Sequence, residues 1–163
     1  MTSKESIGEQ QVSLVPLLAT GSDCITRAFY YSFDQESAPE YRMRVYAMVA
    51  GTPNDPHIEL LALEFNSATL RTDNFLVQPN QNDATFRKKG LPEVMILELA
   101  KVTLKSVRSS CRWNTSNNGR ERRILEADKL WNRLVNLGLA TYYPNQDTNL
   151  DHFELNWTAG SNP

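Results

Sequence analysis

Apolar residues recur along the chain with two periods, which distinguish predicted strands from predicted helices. Alternation with a period of two runs through Tyr41–Ala50, and a compact apolar run covers Ile58–Phe65, so these two segments predict a hairpin of strands. Glu121–Leu137 has apolar residues at three- and four-residue steps, typical of a helix that Gly138 would end. Glu93–Val107 lacks Gly and Pro and is apolar on nearly all sides, which predicts a deeply buried helix.

Shorter segments complete the predicted order of elements. Val12–Leu18 predicts an edge strand, because Pro16 cannot donate a ladder hydrogen bond. Ser22 or Asp23, as an N-cap, predicts a helix over Cys24–Phe33. Short apolar runs predict four further strands: Phe75–Val77, Val107–Trp113, Leu139–Tyr143 and His152–Trp157.

This order of elements predicts an α+β fold. The expected architecture is three layers, α/β/α, around a mixed and mostly antiparallel central sheet. A chain of 163 residues is long enough for one core. We therefore expect one domain over residues 12–157, a flexible N-terminal tail over 1–11 and a C-terminal tail over 158–163.

Charge is unevenly distributed, although the net charge is only −2. Residues 87–133 contain twelve Lys or Arg against five Asp or Glu, a local net charge of +7. This basic segment fits an anionic ligand, and a helical surface with solvated charges is the alternative. The small net charge argues against a protein that binds nucleic acid over its whole surface.

The cysteines and histidines do not match a metal site or a disulfide framework. Cys24 and Cys111 lie far apart without CxxC spacing, which fits a reducing compartment and predicts a cytoplasmic protein. His57 and His152 lack a zinc-binding motif, so no metal is expected. No apolar run reaches about 18 residues and the N-terminus is polar, so no membrane contact is expected.

A basic loop precedes the buried helix. Arg87, Lys88 and Lys89 are followed by Gly90, and Pro92 suits the first turn of the helix. The first N–H groups of a helix lack intrahelical partners and carry partial positive charge, so phosphate binds well there. Gly90 would let the backbone approach a ligand closely or adopt a positive φ. A solvated basic turn before a core helix is the other interpretation.

Two stretches resemble the GNAT superfamily of N-acetyltransferases. LVQP followed by RKKGLP is similar to the family's coenzyme A pyrophosphate loop, whose pattern is Arg or Gln, two residues, Gly, one residue, then Gly or Ala. Arg87 and Gly90 match it, and Pro92 occupies the last place. LWNRLVNLGLATYY is similar to the family's segment where a helix ends in a Leu-Gly-aromatic turn, with Leu139 in place of the usual Phe. The resemblance covers roughly Val12–Leu155.

The resemblance implies an acetyl-coenzyme A co-substrate, no metal, and transfer of an acetyl or acyl group to an amine of a small molecule or a protein. It implies two diverging strands, Asn74–Gln78 and Val107–Arg112, whose unpaired backbone groups would bind the pantetheine arm and polarise the thioester carbonyl. The implied cofactor contacts are on the first strand and the basic loop: Phe75, Leu76, Val77, Arg87, Lys88, Lys89, Gly90 and Leu91. Whether the protein forms a homodimer is left undecided by the sequence.

The candidate general base is Glu64, which shares a strand face with Ile58, Leu60 and Ala62. Apolar neighbours would tune its carboxylate to accept the proton of an amine. The family often has a Tyr acid on its last helix, and Leu134 stands at the matching position here. Tyr142 and Tyr143 are therefore the fallback candidates for the acid.

Three functions are compatible with the sequence. The first is an active acyltransferase of the GNAT type. The second is a catalytically inactive protein of the same fold that binds coenzyme A or a protein partner, which Pro92 and Leu134 favour. The third is a nucleic-acid or protein-binding module that uses the basic segment, and a steep salt dependence would identify nucleic-acid binding.

Overall fold

A computed structural model describes residues 14–37, 39–47, 55–81, 83–111, 125–145 and 151–157. These residues form one eight-stranded sheet and two helices. The strands are β1 Val15–Thr20, β2 Thr26–Ser37, β3 Glu40–Tyr46, β4 His57–Asn66, β5 Thr69–Gln78, β6 Ser106–Arg108, β7 Ala140–Tyr143 and β8 His152–Leu155. The helices are α1 Leu91–Thr103 and α2 Leu125–Asn136. The sheet order is β1-β2-β3-β4-β5-β6-β8-β7.

The predicted α+β class and the mixed, mostly antiparallel sheet are confirmed. Only β5 and β6 pair in parallel, connected through α1, and the other neighbouring strands in the described ranges pair antiparallel. β1 lies at a sheet edge, as Pro16 predicted. The predicted hairpin exists, because β3 and β4 pair antiparallel from Glu40 with Leu63 to Tyr46 with His57.

The three-layer arrangement is not confirmed, because both helices contribute to one core on the same face of the sheet. In α1, Glu98 accepts a hydrogen bond from Tyr31 of β2 at 2.7 Å. In α2, Trp131 stacks on Phe153 of β8 with 6.1 Å between ring centroids. The fully buried side chains of this core come from both helices and the middle strands: Met43, Val45, Leu60, Leu70, Leu91, Met95, Ile96, Val107 and Leu134.

The helix predicted over Cys24–Phe33 is wrong, because Cys24 lies in the turn after β1 and the segment from Thr26 onward belongs to β2. Asp23 accepts a hydrogen bond from the backbone of Ile25 at 3.1 Å, which forms a tight turn instead of a helix cap. β2 then pairs with β1 on one side and β3 on the other. Its β-branched and aromatic residues suit a pleated, half-buried surface, and two ladders outweigh one local cap.

Other elements differ from the prediction mainly at their ends. α1 stops at Thr103 instead of reaching Val107, because Leu104 adopts a left-handed conformation with φ 55°. β5 is longer than the predicted Phe75–Val77. Gly138 ends the second helix as predicted, with φ 74° and hydrogen bonds from Gly138 N to Val135 O and from Leu139 N to Leu134 O. Residues 112–124 and the two predicted tails, 1–11 and 158–163, lie outside the described residues.

Candidate anion pocket and strand fork

The loop between β5 and α1 presents three basic side chains at one end of the sheet. Phe86 anchors this loop, since its side chain is buried and packs on Phe29 with 6.5 Å between ring centroids. Asp83 shapes the turn before it by accepting a hydrogen bond from Thr85 N at 2.9 Å. Arg87 and Lys88 follow with exposed side chains, as both the anion site and the solvated basic turn require.

Gly90 has positive φ, one of the two roles that its sequence context predicted. Its φ is 72° and ψ is 15°, so it lies in the left-handed region immediately before α1. A Cβ at this position would lie 2.3 Å from the backbone oxygen of Thr20. The backbone that approaches Gly90 in this structure is therefore the end of β1. This contact fixes the first turn of α1 against the sheet edge.

The turn between β1 and β2 forms the second wall of a pocket beside the basic loop. The backbone N–H of Ser22 donates to the oxygen of Lys88 at 3.0 Å, which ties the β1–β2 turn to the basic loop. Together the two loops line an open pocket of about 430 Å³. Six residues line it: Ser22, Asp23, Ala84, Arg87, Lys88 and Lys89. The sequence missed Ser22 and Asp23 as pocket residues, because they were interpreted as a helix cap.

The pocket carries more positive than negative charge. Its single carboxylate, Asp23, is held by Arg27 through two hydrogen bonds, of 2.6 Å and 3.1 Å. The guanidinium of Arg27, then the backbone of Ile25, lower the pKa of Asp23 well below its usual value, and the charge of Lys89 acts in the same direction. Since Arg27 offsets the charge of Asp23, the three cations of the loop remain to attract an anion.

The first turn of α1 has both a favourable and an unfavourable feature for an anion. Pro92 at the start of the helix lacks an N–H, so it removes one donor. Glu93 places a carboxylate near the same helix end, but Arg133 of α2 binds it at 2.5 Å. The partial positive charge of the helix N-terminus is therefore still available to a ligand.

β5 and β6 separate after three paired positions, which creates a fork in the sheet. The parallel ladder joins Thr69 to Ser106 and ends with Arg71 paired to Arg108. β5 then continues to Gln78 while it pairs with β4. In the described part of the chain, no strand pairs with the other side of β5 beyond Arg71. The basic loop leaves β5 at the open end of this fork.

Two buried serines hold the base of the fork. Ser110 donates through its hydroxyl to the backbone oxygen of Thr72 at 2.7 Å. Ser109 instead joins β8: its N–H donates to the oxygen of Phe153, and its hydroxyl accepts from Phe153 N, both at 2.9 Å. One serine thus holds β5 and the other holds β8. The sequence gave no functional signal here beyond two adjacent small polar residues in an otherwise apolar segment.

The predicted cofactor contacts on β5 line the fork. Phe75, Leu76 and Val77 are half-buried and lie between the base of the fork and Gln78. On one side they pair with β4: Phe75 with Leu60, Leu76 with Glu59 and Val77 with Ile58. The structure does not place the two predicted groups of cofactor contacts side by side, because the basic residues line a pocket beside the β1–β2 turn and β2, β3 and β4 separate it from β5.

Glu64 lies away from the basic loop. It pairs with Leu70 at the start of β5, whereas the loop follows Gln78 at the other end of that strand. Its carboxylate is about one-third exposed and faces Lys105 with 4.0 Å between Oε1 and Nζ. Ile58, Leu60 and Ala62 on the same face are buried, as the alternation predicted, but Glu64 itself lies at the edge of that face.

Tyr142 and Tyr143 lie on β7, the edge strand opposite β1. The hydroxyl of Tyr142 donates to Oδ2 of Asp151 at 2.6 Å, and its ring packs on Phe153. Tyr143 stacks on His152 with 5.3 Å between centroids. Since β6 and β8 separate β7 from β5, neither tyrosine lies beside the fork.

Within the described ranges, no group of three or more His, Cys, Asp or Glu is arranged to hold a metal ion. None of the helices described is long and apolar enough to cross a membrane. Comparison of the chain with protein-family models, with curated proteins and with solved structures found no match.

Proposed function

We propose that this protein is an acyltransferase that moves an acetyl or acyl group from acetyl-coenzyme A to an amine. The observation that carries the proposal is the fork between β5 and β6, whose open side suits an extended ligand. The basic loop leaves β5 at the open end of this fork and carries its cations to the β1 edge, four strands away, where it meets the N-terminus of α1. This combination agrees with the diverging strands and phosphate loop that the resemblance to the GNAT superfamily implies.

The dimensions of the fork suit an extended ligand. From Thr72 to Gln78 the strand rises about 20 Å at roughly 3.3 Å per residue. An arm that binds along this wall would add a strand to β5 through backbone hydrogen bonds. Its thioester would reach the base of the fork near Ser110. Its nucleotide end would have to cross the ends of β4, β3 and β2, about 19 Å at roughly 4.8 Å per strand, to meet Arg87, Lys88 and Lys89.

The chemistry needs a free amine at the base of the fork. The amine nitrogen attacks the thioester carbonyl carbon, the tetrahedral intermediate collapses, and the coenzyme A thiolate leaves. A backbone N–H of β5 facing the gap would stabilise the oxyanion. A base must take one proton from the amine, and Glu64 remains the candidate for that role.

A second function is favoured by the contacts of the candidate acid and base residues. Tyr142 donates to Asp151, Glu64 faces Lys105, and Pro92 removes one phosphate donor. These features fit a protein that binds coenzyme A without transferring its acyl group. Turnover of a panel of amines, measured by thiol release, separates this function from the first.

Ligand binding is tested by thermal melting with acetyl-coenzyme A. At a hundredfold excess over the dissociation constant, the ligand should raise the free energy of unfolding by about 2.7 kcal/mol. Arg87→Ala should weaken the effect, because it removes a cation of the pocket. Lys129→Ala, an exposed lysine on α2, is the matched control and should leave it unchanged. A flat titration up to millimolar ligand would contradict both coenzyme A functions.

A further inference from the structure

The basic loop concentrates positive charge that no acidic side chain of the described ranges pairs with. Arg87, Lys88 and Lys89 have no carboxylate within 4.0 Å among those residues. Three basic side chains that follow along the chain do have acidic partners: Lys101 with Glu98, Lys105 with Glu64, and Arg133 with Glu93. Since adjacent cations repel one another, an anion bound between the three loop residues would lower their electrostatic free energy.

Two close backbone contacts hold the walls of the pocket together. A Cβ added at Gly21 would lie 2.7 Å from the backbone oxygen of Lys88, and the N–H of Ser22 donates to the same oxygen at 3.0 Å. Lys88 has a φ of 53°, a left-handed conformation that is unfavourable for a lysine and persists only where neighbouring structure holds it. The pocket is therefore formed before a ligand arrives, which lowers the entropic cost of binding.

Arg27 of β2 neutralises Asp23, the one carboxylate among the six residues that line the pocket. Its two terminal nitrogens donate to the two carboxylate oxygens, at 3.1 Å to Oδ1 and 2.6 Å to Oδ2. The N–H of Ile25 also donates to Oδ1, at 3.1 Å. With this pair neutral, the three cations of the basic loop give the pocket a net charge of +3. Without Arg27, the charge of Asp23 would oppose any anion that enters.

The charge and size of the pocket match a phosphate monoester. Near neutral pH this group carries close to two negative charges on three acceptor oxygens, so three separate cations can each bind one oxygen. A carboxylate or a sulfate ester carries one charge and gains less from the same cations. The volume of about 430 Å³ lies within the range of small-ligand pockets, roughly 300–1,000 Å³. β2, β3 and β4 separate this pocket from the fork, so a ligand can fill one while the other is empty.

We propose that this pocket binds a phosphate monoester by itself, with nothing in the fork, and that Arg27 is a positioning residue that keeps Asp23 from repelling the ligand. The phosphate comes either from the nucleotide end of coenzyme A, whose 3′-phosphate is a monoester, or from a separate phosphorylated small molecule. Both sources carry the same dianion. Neither the binding nor its dependence on Arg27 requires acyl transfer.

Binding is tested on the full chain by calorimetric titration of phenyl phosphate, with phenyl sulfate as the matched monoanion. Phenyl phosphate should bind more tightly than phenyl sulfate. Its affinity should rise by up to about tenfold from pH 5 to pH 7.5, because the phosphate loses its second proton with a pKa of about 6. Phenyl sulfate should show no such rise, since it stays a monoanion and no histidine lines the pocket. Equal binding of the two ligands would overturn the proposal.

Substitutions separate the role of Arg27 from a merely structural one. Lys89→Ala should weaken phenyl phosphate binding by about two- to fivefold, the range for an exposed charge pair, and Lys129→Ala on α2 should not change it. Arg27→Met leaves the three pocket cations in place and should still weaken binding, because it frees the charge of Asp23. Adding Asp23→Asn to Arg27→Met should restore the affinity, which a loss through misfolding would not allow. If Arg27→Met does not fold, Asp23→Asn alone should bind phenyl phosphate more tightly than wild type.

Competition with acetyl-coenzyme A identifies the source of the phosphate. Displacement of phenyl phosphate by acetyl-coenzyme A, and much weaker displacement by dephospho-coenzyme A, would identify the nucleotide end of the coenzyme. Simultaneous binding of both ligands would identify a separate phosphorylated small molecule. Phenyl phosphate binding with a flat acetyl-coenzyme A titration would remove the proposed acyltransferase and leave this site intact. Absence of phenyl phosphate binding, or no restoration by Asp23→Asn, would overturn the site whatever acetyl-coenzyme A does.

Discussion

Two constraints favour glycine at position 90, the positive φ and the close approach of Thr20, and a comparison with Gly138 separates them. In Gly90→Ala the positive φ would lower the free energy of unfolding by about 1–2 kcal/mol. The added methyl group would also clash with the backbone oxygen of Thr20. Gly138 has nearly the same φ, but an added Cβ would meet nothing within 4 Å. We expect urea denaturation to show a larger loss of stability for Gly90→Ala than for Gly138→Ala. Equal losses of stability in the two variants would show that the end of β1 moves away from the added methyl group at little cost in free energy.

The steric constraint at Gly90 also changes what a larger substitution tests. From the sequence alone, Gly90→Val is expected to abolish ligand binding and leave the fold intact. Because Thr20 occupies the space beside Gly90, the same substitution should destabilise the fold. Arg87→Ala, which removes only an exposed side chain, is therefore the better test of phosphate binding.

Asp23 gives stability a specific dependence on pH. The pKa of its carboxyl group is lowered in the folded protein from the ordinary value of 3.8, chiefly by the hydrogen bonds from Arg27. A lowered pKa means that the stabilisation is complete above about pH 4 and is lost as the pH falls towards the folded value. Asp23→Asn should therefore be less stable than wild type at pH 7, and the difference should shrink by pH 3. Arg27→Met should remove most of this pH dependence, and a difference that stays constant would contradict the mechanism.

Glu64 is the residue at which the proposed catalytic function is tested. If it is the base, Glu64→Gln should retain acetyl-coenzyme A binding and lower acyl transfer to a lysine-like amine by about 10²–10⁴. Stability should change by no more than about 1 kcal/mol, because the pair with Lys105 is partly exposed. Lys105→Met removes the same pair and keeps the carboxylate. Unchanged turnover by Glu64→Gln would exclude Glu64 as the base.

At the scale of elements, the fork depends on the hydrogen bond between Ser110 and β5. Ser110→Ala leaves the buried oxygen of Thr72 without this donor, which costs about 1–3 kcal/mol. The control is Ser106→Ala on β6, whose hydroxyl makes no side-chain hydrogen bond among the described residues. We expect chemical denaturation to show a loss for Ser110→Ala alone. Acetyl-coenzyme A should also bind Ser110→Ala more weakly, if the thioester lies at the base of the fork.

At the scale of the whole molecule, the core joins the two parts of the sheet that the fork separates. α1 packs against β1 and β6, and also against α2, which covers β7 and β8. Thermal unfolding should therefore be one cooperative transition, with coincident curves from far-UV circular dichroism and tryptophan fluorescence. Separate transitions would mean that β6, β7, β8 and α2 unfold independently of the rest.

The sequence predicted much of the fold and half of the candidate site. The basic residues at 87–89 and the strand before them were identified from local pattern, and the structure places the basic residues in a pocket beside the β1–β2 turn. Ser22 and Asp23, which complete the pocket, were missed because they lie about 65 residues earlier in the chain. No local pattern encodes the hydrogen bond from Ser22 to Lys88 that brings the two loops together.

The sequence by itself determined the elements whose signal is local. The apolar steps of α2, the cap at Gly138 and the alternation of β3 are properties of neighbouring residues, and each appears in the structure near its predicted place. Only the tertiary structure decided that β2 is a strand, since two ladders with β1 and β3 outweigh a local cap at Asp23. It also decided where β5 and β6 separate, because strand register depends on contacts between residues far apart in the chain.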